Sequence, residues 1–357
     1  MLTISQRGGK IESRPDRSGR PFAKLRAGSV RSGPPIGRLS AMQTARPAVG
    51  RSWRERARLW FLETRAPFFT AVVVPVLLGT LIAWARQGTW HWGYFLLTLV
   101  GSICLHAGAN IANDYFDHLS GDDAANVEFV RPFTGGSRMI QEGLMSPREV
   151  LTEALAFFAL AIVIGLYLTW ARGWVVLVLG LVGLFSAYFY TAPPFRLANL
   201  GIGEFVVGAN FGILVTLGAY LVQTQRLAWE PVIAAIPVAC LIAAVLWINE
   251  LPDMVADKSV GKNHLVARLG KARAAQGYVA IMALTYVAII VAVLLRAVTP
   301  WALLGLLTVP LTIQAVRTAL RHYAESPKLA PANAATIQIH LLTGLLLCLA
   351  YLVERLV

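Results

Sequence analysis

The sequence predicts an all-α, polytopic membrane protein with nine transmembrane helices. Three observations carry this. Hydrophobic residues fill 56% of the 357 positions and charged residues only 14%, a balance far from that of water-soluble domains. The apolar residues gather into segments of roughly 17–25, the length that crosses about 30 Å of hydrocarbon at 1.5 Å per residue. The segments lack the alternating pattern of barrel strands, and open strands cannot pair their backbone groups in lipid, so they are read as helices.

Residues 1–58 form a basic arm ahead of the first segment, and residues 59–357 form one transmembrane domain. The arm holds fourteen Lys or Arg against Glu12, Asp16 and Glu55, which places +11 of the formal net charge of +13 there. It is rich in Gly, Ser, Pro and Arg without apolar periodicity, so it is expected to be disordered and drawn to anionic lipid headgroups. Phe22 is its only aromatic residue before Trp53. Interleaved aromatics would mark a nucleic-acid arm, so no nucleic-acid partner is expected.

The apolar segments follow in order. The first, 66–85, ends in Ala83-Trp84-Ala85, which resembles a cleavage site, but the run exceeds a signal peptide's apolar region and is read as retained. The second, 93–113, runs into NDYFDHLSGDD. The third, 149–170, is started by Ser146-Pro147-Arg148-Glu149, a capping box with proline at the first helical position. The fourth, 174–190, is broken by Pro193-Pro194. The fifth, 203–223, contains Glu204 and Asn210: an ionisable residue inside a span is a site hypothesis, whereas Asn210 equally suits a helix-packing hydrogen bond. The remaining segments are 231–249, 276–296, 299–316 and 334–353. Lone His106 and His340 are read as packing residues, and Cys104, Cys240 and Cys348 have neither disulfide context nor metal-ligand spacing.

Charge placement gives an orientation. With a cytoplasmic N-terminus, the loops on that side after Arg65 hold twelve Lys or Arg and the opposite loops with the C-terminus hold five. The positive-inside rule then places the C-terminus outside the cell membrane.

Two acidic clusters fall on the predicted cytoplasmic side. Asn110 and Asp114, like Asn113 and Asp117, stand four apart and share a helix face, with Asp122 and Asp123 just beyond. Asn249, Asp253 and Asp257 repeat that spacing at the end of the sixth segment, followed by Lys262. Carboxylates crowded at a membrane edge need a cation, and oxygen-only donors point to Mg²⁺ shared with substrate phosphate. Two matched clusters suit a diphosphate held between metal ions, where one alone would often be a solvated helix end. Arg138, beside Gly135-Gly136, and Arg196, with Tyr190 in the loop after the fourth segment, are the candidate phosphate-side residues; each arginine also obeys the positive-inside rule.

The pairing NxxxDYFDxxxGDD with NELPDxxxDxxxGKxxLxxRLG resembles the UbiA superfamily of intramembrane aromatic prenyltransferases over roughly residues 58–355. FTGGSRMIQEGLMS, YTAPPFRLANLGIGE and ADKSVGKNHLVARLG look most like its MenA branch, the 1,4-dihydroxy-2-naphthoate polyprenyltransferases of menaquinone synthesis. The resemblance implies nine helices around a central cavity. It implies Mg²⁺ on Asp114, Asp117, Asp123, Asp253 and Asp257, with Asp117, Asp253 and Asp257 catalytic. Asn110, Asn113 and Asn249 belong to the matching motifs and, with Arg138, Tyr190, Arg196 and Lys262, complete the candidate substrate contacts. The implied partners are a polyprenyl diphosphate, an aromatic acceptor and membrane lipid.

Two departures from the family pattern stand out. Gly121 occupies the place where many relatives carry the last Asp of the first motif, leaving Asp122 or Asp123 to serve. Glu250-Leu251-Pro252 stands where an arginine next to Asp253 is more usual. Transfer to 4-hydroxybenzoate or another phenol is the alternative within the family. A cation-coupled transporter would place its acids at the bilayer midplane, and a phosphatidyl-alcohol transferase would carry one dense Asp motif.

Overall fold

The structure, a computed structural model, describes residues 52–357, and the arm up to residue 51 lies outside the described residues. Helix α1 (Trp53–Glu63) starts on a capping box in which the Glu55 backbone N–H donates to Ser52 Oγ and the Ser52 N–H donates to Glu55 Oε2. The boundary expected at residue 58 therefore falls inside a helix. Exposed Trp53 and Phe61 flank Arg54, Arg56 and Arg58, the composition of a helix lying in the membrane interface. Arg65 in the left-handed region and a 3-10 turn at Ala66–Phe69 redirect the chain into α2 (Thr70–Gln87).

Helix α3 (Trp92–Ser120) carries the first acidic motif past its apolar run, and α4 (Asp122–Ala125) adds one short turn. The predicted Ser146–Glu149 capping box starts α5 (Pro147–Arg172) as expected. Then come α6 (Trp174–Phe189), α7 (Gly203–Gly208), a π-helical turn Ala209–Leu214, α8 (Val215–Thr224) and α9 (Trp229–Ser259). The chain closes with α10 (Leu265–Leu269), α11 (Lys271–Leu294), α12 (Val309–His322), which follows a 3-10 segment Pro300–Thr308, and α13 (Ser326–Leu356).

All nine predicted apolar segments are helical. Eight are long and apolar enough to cross a membrane, and the ninth, α6, has 16 residues. It stops at Phe189 because the chain turns toward Pro193-Pro194, which cannot continue a helix. The chain is a multi-span membrane protein.

Lipid offers no hydrophobic drive for helix association, so close backbone contact and interhelical hydrogen bonds hold the bundle. At Gly212 a Cβ would lie 2.5 Å from Ala239 Cα, so only glycine lets the π-turn seat against α9. Val74, Leu78, Ile82, Tyr220, Val238 and Tyr351 form one buried cluster; Leu241, Ile248, Leu251, Tyr278, Met282 and Ile339 form a second along α9, α11 and α13. Hydroxyl pairs cross between helices at Tyr278–Thr336 (2.6 Å) and Thr308–Thr343 (2.7 Å). At the opposite end from the acidic motifs, Arg86 joins Glu230 (2.7 Å) and Glu354 (2.9 Å), tying α2, α9 and α13. Both lone histidines are buried, and His106 packs between Phe69 and Phe211, as expected of a packing residue.

Candidate active site

The two motifs meet because α3 and α9 both continue beyond their apolar stretches. Their last turns put Asn113, Asp114 and Asp117 opposite Asn249, Asp253 and Asp257, and the turn after α9 brings Lys262 between them. Lys262 Nζ lies 2.8 Å from Asp122 Oδ2, 3.1 Å from Asp117 Oδ2 and 3.5 Å from Asp257 Oδ1. Burial opposes the charge on this ammonium, but Asp117, Asp257 and Asp122 outweigh it and hold its pKa well above the ordinary lysine range.

A loop between α4 and α5 laces the motifs together. Asn126 Nδ2 donates to Asp253 Oδ1 (2.8 Å), the Gly135 N–H to Asp253 Oδ2 (3.3 Å) and the Ser137 N–H to Asp114 Oδ2 (2.8 Å). Gly136 makes this possible: its φ is +66°, and a Cβ there would stand 2.7 Å from Asp114 Oδ1. Arg138 donates to the backbone carbonyls of Asp123 (3.1 Å) and Asn126 (3.4 Å), and its guanidinium lies over the Phe129 ring. Arg131 instead pairs with Glu142 at the surface.

Both acids after Gly121 are buried, but in different company. Asp122 joins Asp117 and Asp257 through Lys262, whereas Asp123 Oδ2 accepts from Gln141 Nε2 at 2.8 Å. Burial, then Asp114, pushes the Asp123 carboxyl up to about 8. The oxygens Asp114 Oδ1 and Asp122 Oδ1 are buried with no hydrogen-bond partner, a hard-donor set with spare lone pairs.

Beside the cluster opens a cavity of ≈ 460 Å³. Asn110, Asn113, Tyr190 and Asn249 line its polar end, and mostly apolar residues of α3, α5, α6, α8 and α9 line the rest, with Arg65, His106 and Asn210 among the polar exceptions. Asn110 Nδ2 donates to the Thr64 carbonyl, and Asn249 Oδ1 accepts from Asn333 Nδ2 at 2.7 Å, so both amides are held. Burial, with Glu250 next, holds the Tyr190 phenol protonated well above its ordinary range. Arg196 is not brought to the cluster. Its loop turns the side chain outward, where it is exposed and lines no part of the cavity.

Several residues of the site have little sequence signature. His264 caps α10 with its Nδ1 accepting from the Ala267 N–H, and its Nε2 lies 2.8 Å from Asp257 Oδ2. Burial, then Lys262, lowers its pKa to about 4. Glu204 Oε1 accepts from the Leu265 N–H at 2.8 Å. The ionisable Glu204 within a span and the unusual Glu250 before Asp253 were the signals for this neighbourhood; Asn126, Gln141 and Asn333 gave none.

Residues 72–342 match the UbiA prenyltransferase family. The chain belongs to that family. As a member of the UbiA prenyltransferases it is an enzyme of prenyl transfer, and its all-helical architecture agrees. It is 29% identical over 297 residues to a 2-carboxy-1,4-naphthoquinone phytyltransferase of Synechocystis sp., covering 82% of this chain and 93% of that protein. It is 30% identical over 297 residues to a 1,4-dihydroxy-2-naphthoate octaprenyltransferase of Bacillus subtilis, covering 83% and 92%. Among solved structures, a UbiA homolog from Archaeoglobus fulgidus bound to GPP and Mg²⁺ superposes with a TM-score of 0.54 at 14% identity, covering 84% of this chain and 99% of that one. An apo UbiA homolog from Aeropyrum pernix K1 gives 0.56 at 16% identity, covering 80% and 97%. Likenesses at such identities establish the UbiA fold.

Proposed function

We propose that this UbiA-family enzyme transfers a polyprenyl group from a polyprenyl diphosphate to 1,4-dihydroxy-2-naphthoate, with loss of the ring carboxylate as CO₂, in menaquinone biosynthesis. The observation that carries the reaction class is the meeting of Asp117, Asp122 and Asp257 on Lys262, with Asp114 and Asp253 held by one loop. The acceptor is supported by the naphthoate-acting names of the relatives.

The fit to Mg²⁺ rests on the oxygen-only donors and the partnerless Asp114 Oδ1 and Asp122 Oδ1. Asp114, Asp117, Asp253 and Asp257, with Asp122 or Asp123, would hold it. Bound there, Mg²⁺ would supply positive charge to the departing diphosphate. Lys262 and Arg138 supply fixed positive charge beside that leaving group, aimed where negative charge develops. Asn110, Asn113, Asn249 and Tyr190 orient polar atoms at the mouth of the cavity, and its apolar length takes the prenyl chain and excludes water from the reacting carbon. The site faces the cytoplasm of the cell (inner) membrane, with the N-terminus inside and the C-terminus outside, a reading supported by loop charge.

The test is purified protein with Mg²⁺ and a polyprenyl diphosphate, offered dihydroxynaphthoate or 4-hydroxybenzoate in parallel, with product masses recorded. Prenylated, decarboxylated naphthoate product is expected. A prenylated hydroxybenzoate in its place would reassign the acceptor, and turnover unchanged by chelation would remove Mg²⁺.

A further inference from the structure

Next to the aspartates lies a second polar group that the transfer reaction does not use. Glu204 in the first turn of α7, Glu250 on α9 and His264 at the start of α10 are 3%, 9% and 1% exposed. They offer ligand atoms within 4.8 Å of one another. His264 Nδ1 lies 3.4 Å from Glu250 Oε2 and 4.0 Å from Glu204 Oε1.

The imidazole is held in one orientation. The Ala267 N–H donates to Nδ1, so in the neutral ring Nε2 carries the proton and faces Asp257 Oδ2 at 2.8 Å. The Nδ1 lone pair accepts the Ala267 N–H at 3.2 Å, and Nδ1 also faces the two glutamates, so an ion bound there would take the lone pair over from the α10 cap. Glu204 Oε1 accepts from the Leu265 N–H and, at 3.4 Å, from the Val266 N–H. Glu204 Oε2 and Glu250 Oε2 are buried without a hydrogen-bond partner. Among the described residues no Lys or Arg pairs with either glutamate; Lys262 is committed to Asp117, Asp122 and Asp257. Two buried carboxyl groups and an imidazole nitrogen thus converge with no Lys or Arg paired to them among the described residues, an arrangement that costs several kcal/mol unless a cation, or a proton shared by Glu204 and Glu250, completes it.

We propose that Glu204, Glu250 and His264 bind a divalent transition-metal ion of the Zn²⁺ class, at a site separate from the aspartate cluster. One imidazole with two carboxylates is a zinc-like donor set, whereas Mg²⁺ favours oxygens alone. Metal–ligand distances of roughly 2.0–2.2 Å put donors about 3–4 Å apart, so the observed separations need little adjustment. A carboxylate bonded behind the ligating imidazole, as Asp257 is here, is the usual support of a metal-bound histidine. The ion would join α7, α9 and α10, and through His264 it would brace Asp257.

The test uses tag-free full-length protein in detergent, stripped with chelator and then given Zn²⁺ alone in the presence of millimolar Mg²⁺. About one tightly held Zn²⁺ per chain is expected, with an X-ray absorption spectrum at the zinc edge showing a single imidazole among oxygens. Glu204→Gln and Glu250→Gln should each weaken retention at least about tenfold, while Asp117→Asn and Asp253→Asn keep it. Those last two arms separate this site from the transfer reading, which can fail without affecting zinc retention. No zinc retained against Mg²⁺, or an all-oxygen shell in the unaltered protein, would overturn the proposal. So would retention lost in the aspartate variants and kept in the glutamate ones. The absorption spectrum decides the matter even if a glutamate variant does not fold.

Discussion

Lys262→Met removes the ammonium that meets Asp122, Asp117 and Asp257 at 2.8, 3.1 and 3.5 Å. At an effective dielectric constant of about 20, each contact is worth about 5 kcal/mol of gross attraction. Desolvation of the buried ions offsets most of that total. What remains is the penalty of leaving acids buried and uncompensated, about 3–5 kcal/mol when one partner of a buried pair is deleted. Divalent cation should stand in for part of the lost charge, because the same carboxylates are the candidate Mg²⁺ ligands. Thermal unfolding followed by tryptophan fluorescence, on both proteins in chelator and in millimolar Mg²⁺, reads the two effects separately. The variant should unfold well below the parent in chelator, and the gap should shrink by more than half with Mg²⁺. An equal gap in both conditions, or none in chelator, would refute the claim that lysine and metal neutralise the same acids.

Other perturbations address the remaining parts. Asp117→Asn and Asp253→Asn should each abolish turnover while circular dichroism stays unchanged; parental rates in both would remove them from the site. Gly136→Ala should strain the left-handed backbone by roughly 1–2 kcal/mol and press on Asp114 Oδ1. The Mg²⁺ concentration for half-maximal rate should therefore rise on the order of tenfold, and an unchanged Mg²⁺ titration would contradict the contact. Gly165 lines the cavity, and a Cβ there meets nothing within 4 Å. Gly165→Phe should therefore depress turnover of long polyprenyl diphosphates more than of geranyl diphosphate, and equal losses would place the chain elsewhere. Glu63 is fully buried near Asp114, Ser137, Arg65 and Glu153; burial, then Asp114, raises its carboxyl to about 8. The folded chain then keeps a proton that the unfolded chain has lost between about 4.5 and 8, so stability falls as pH rises through that window. Glu63→Gln should flatten this decline in unfolding temperatures from pH 6 to 9, and parallel profiles would exclude Glu63 as its source.

Much of this was legible in the residues because hydropathy and spacing report what a single helix does. The nine apolar segments, the Ser146 cap and the four-residue spacing of Asn110–Asp114 and Asp253–Asp257 all survive in the structure. What spacing cannot report is the register between helices. Asp122 and Asp123 are indistinguishable in sequence, and only the packing of α4 near α9 gives Lys262 to one and Gln141 to the other. Arg196 had the right residue type and the right loop, yet its backbone turns it away. Glu204, Glu250 and His264 come from three elements that no periodicity connects.

The two acidic motifs gather at one rim while a largely apolar bore runs beneath them, with Asn110, Asn113, Asn249 and Tyr190 lining the bore on that side. On the proposed reaction, tail preference and bond-breaking are housed in different storeys of the molecule. Substitutions deep in the bore can retune which isoprenoid is accepted at little electrostatic risk, whereas the rim tolerates almost no drift. A lineage of such prenyltransferases could diversify the chains it transfers on this scaffold while leaving its ionic machinery untouched.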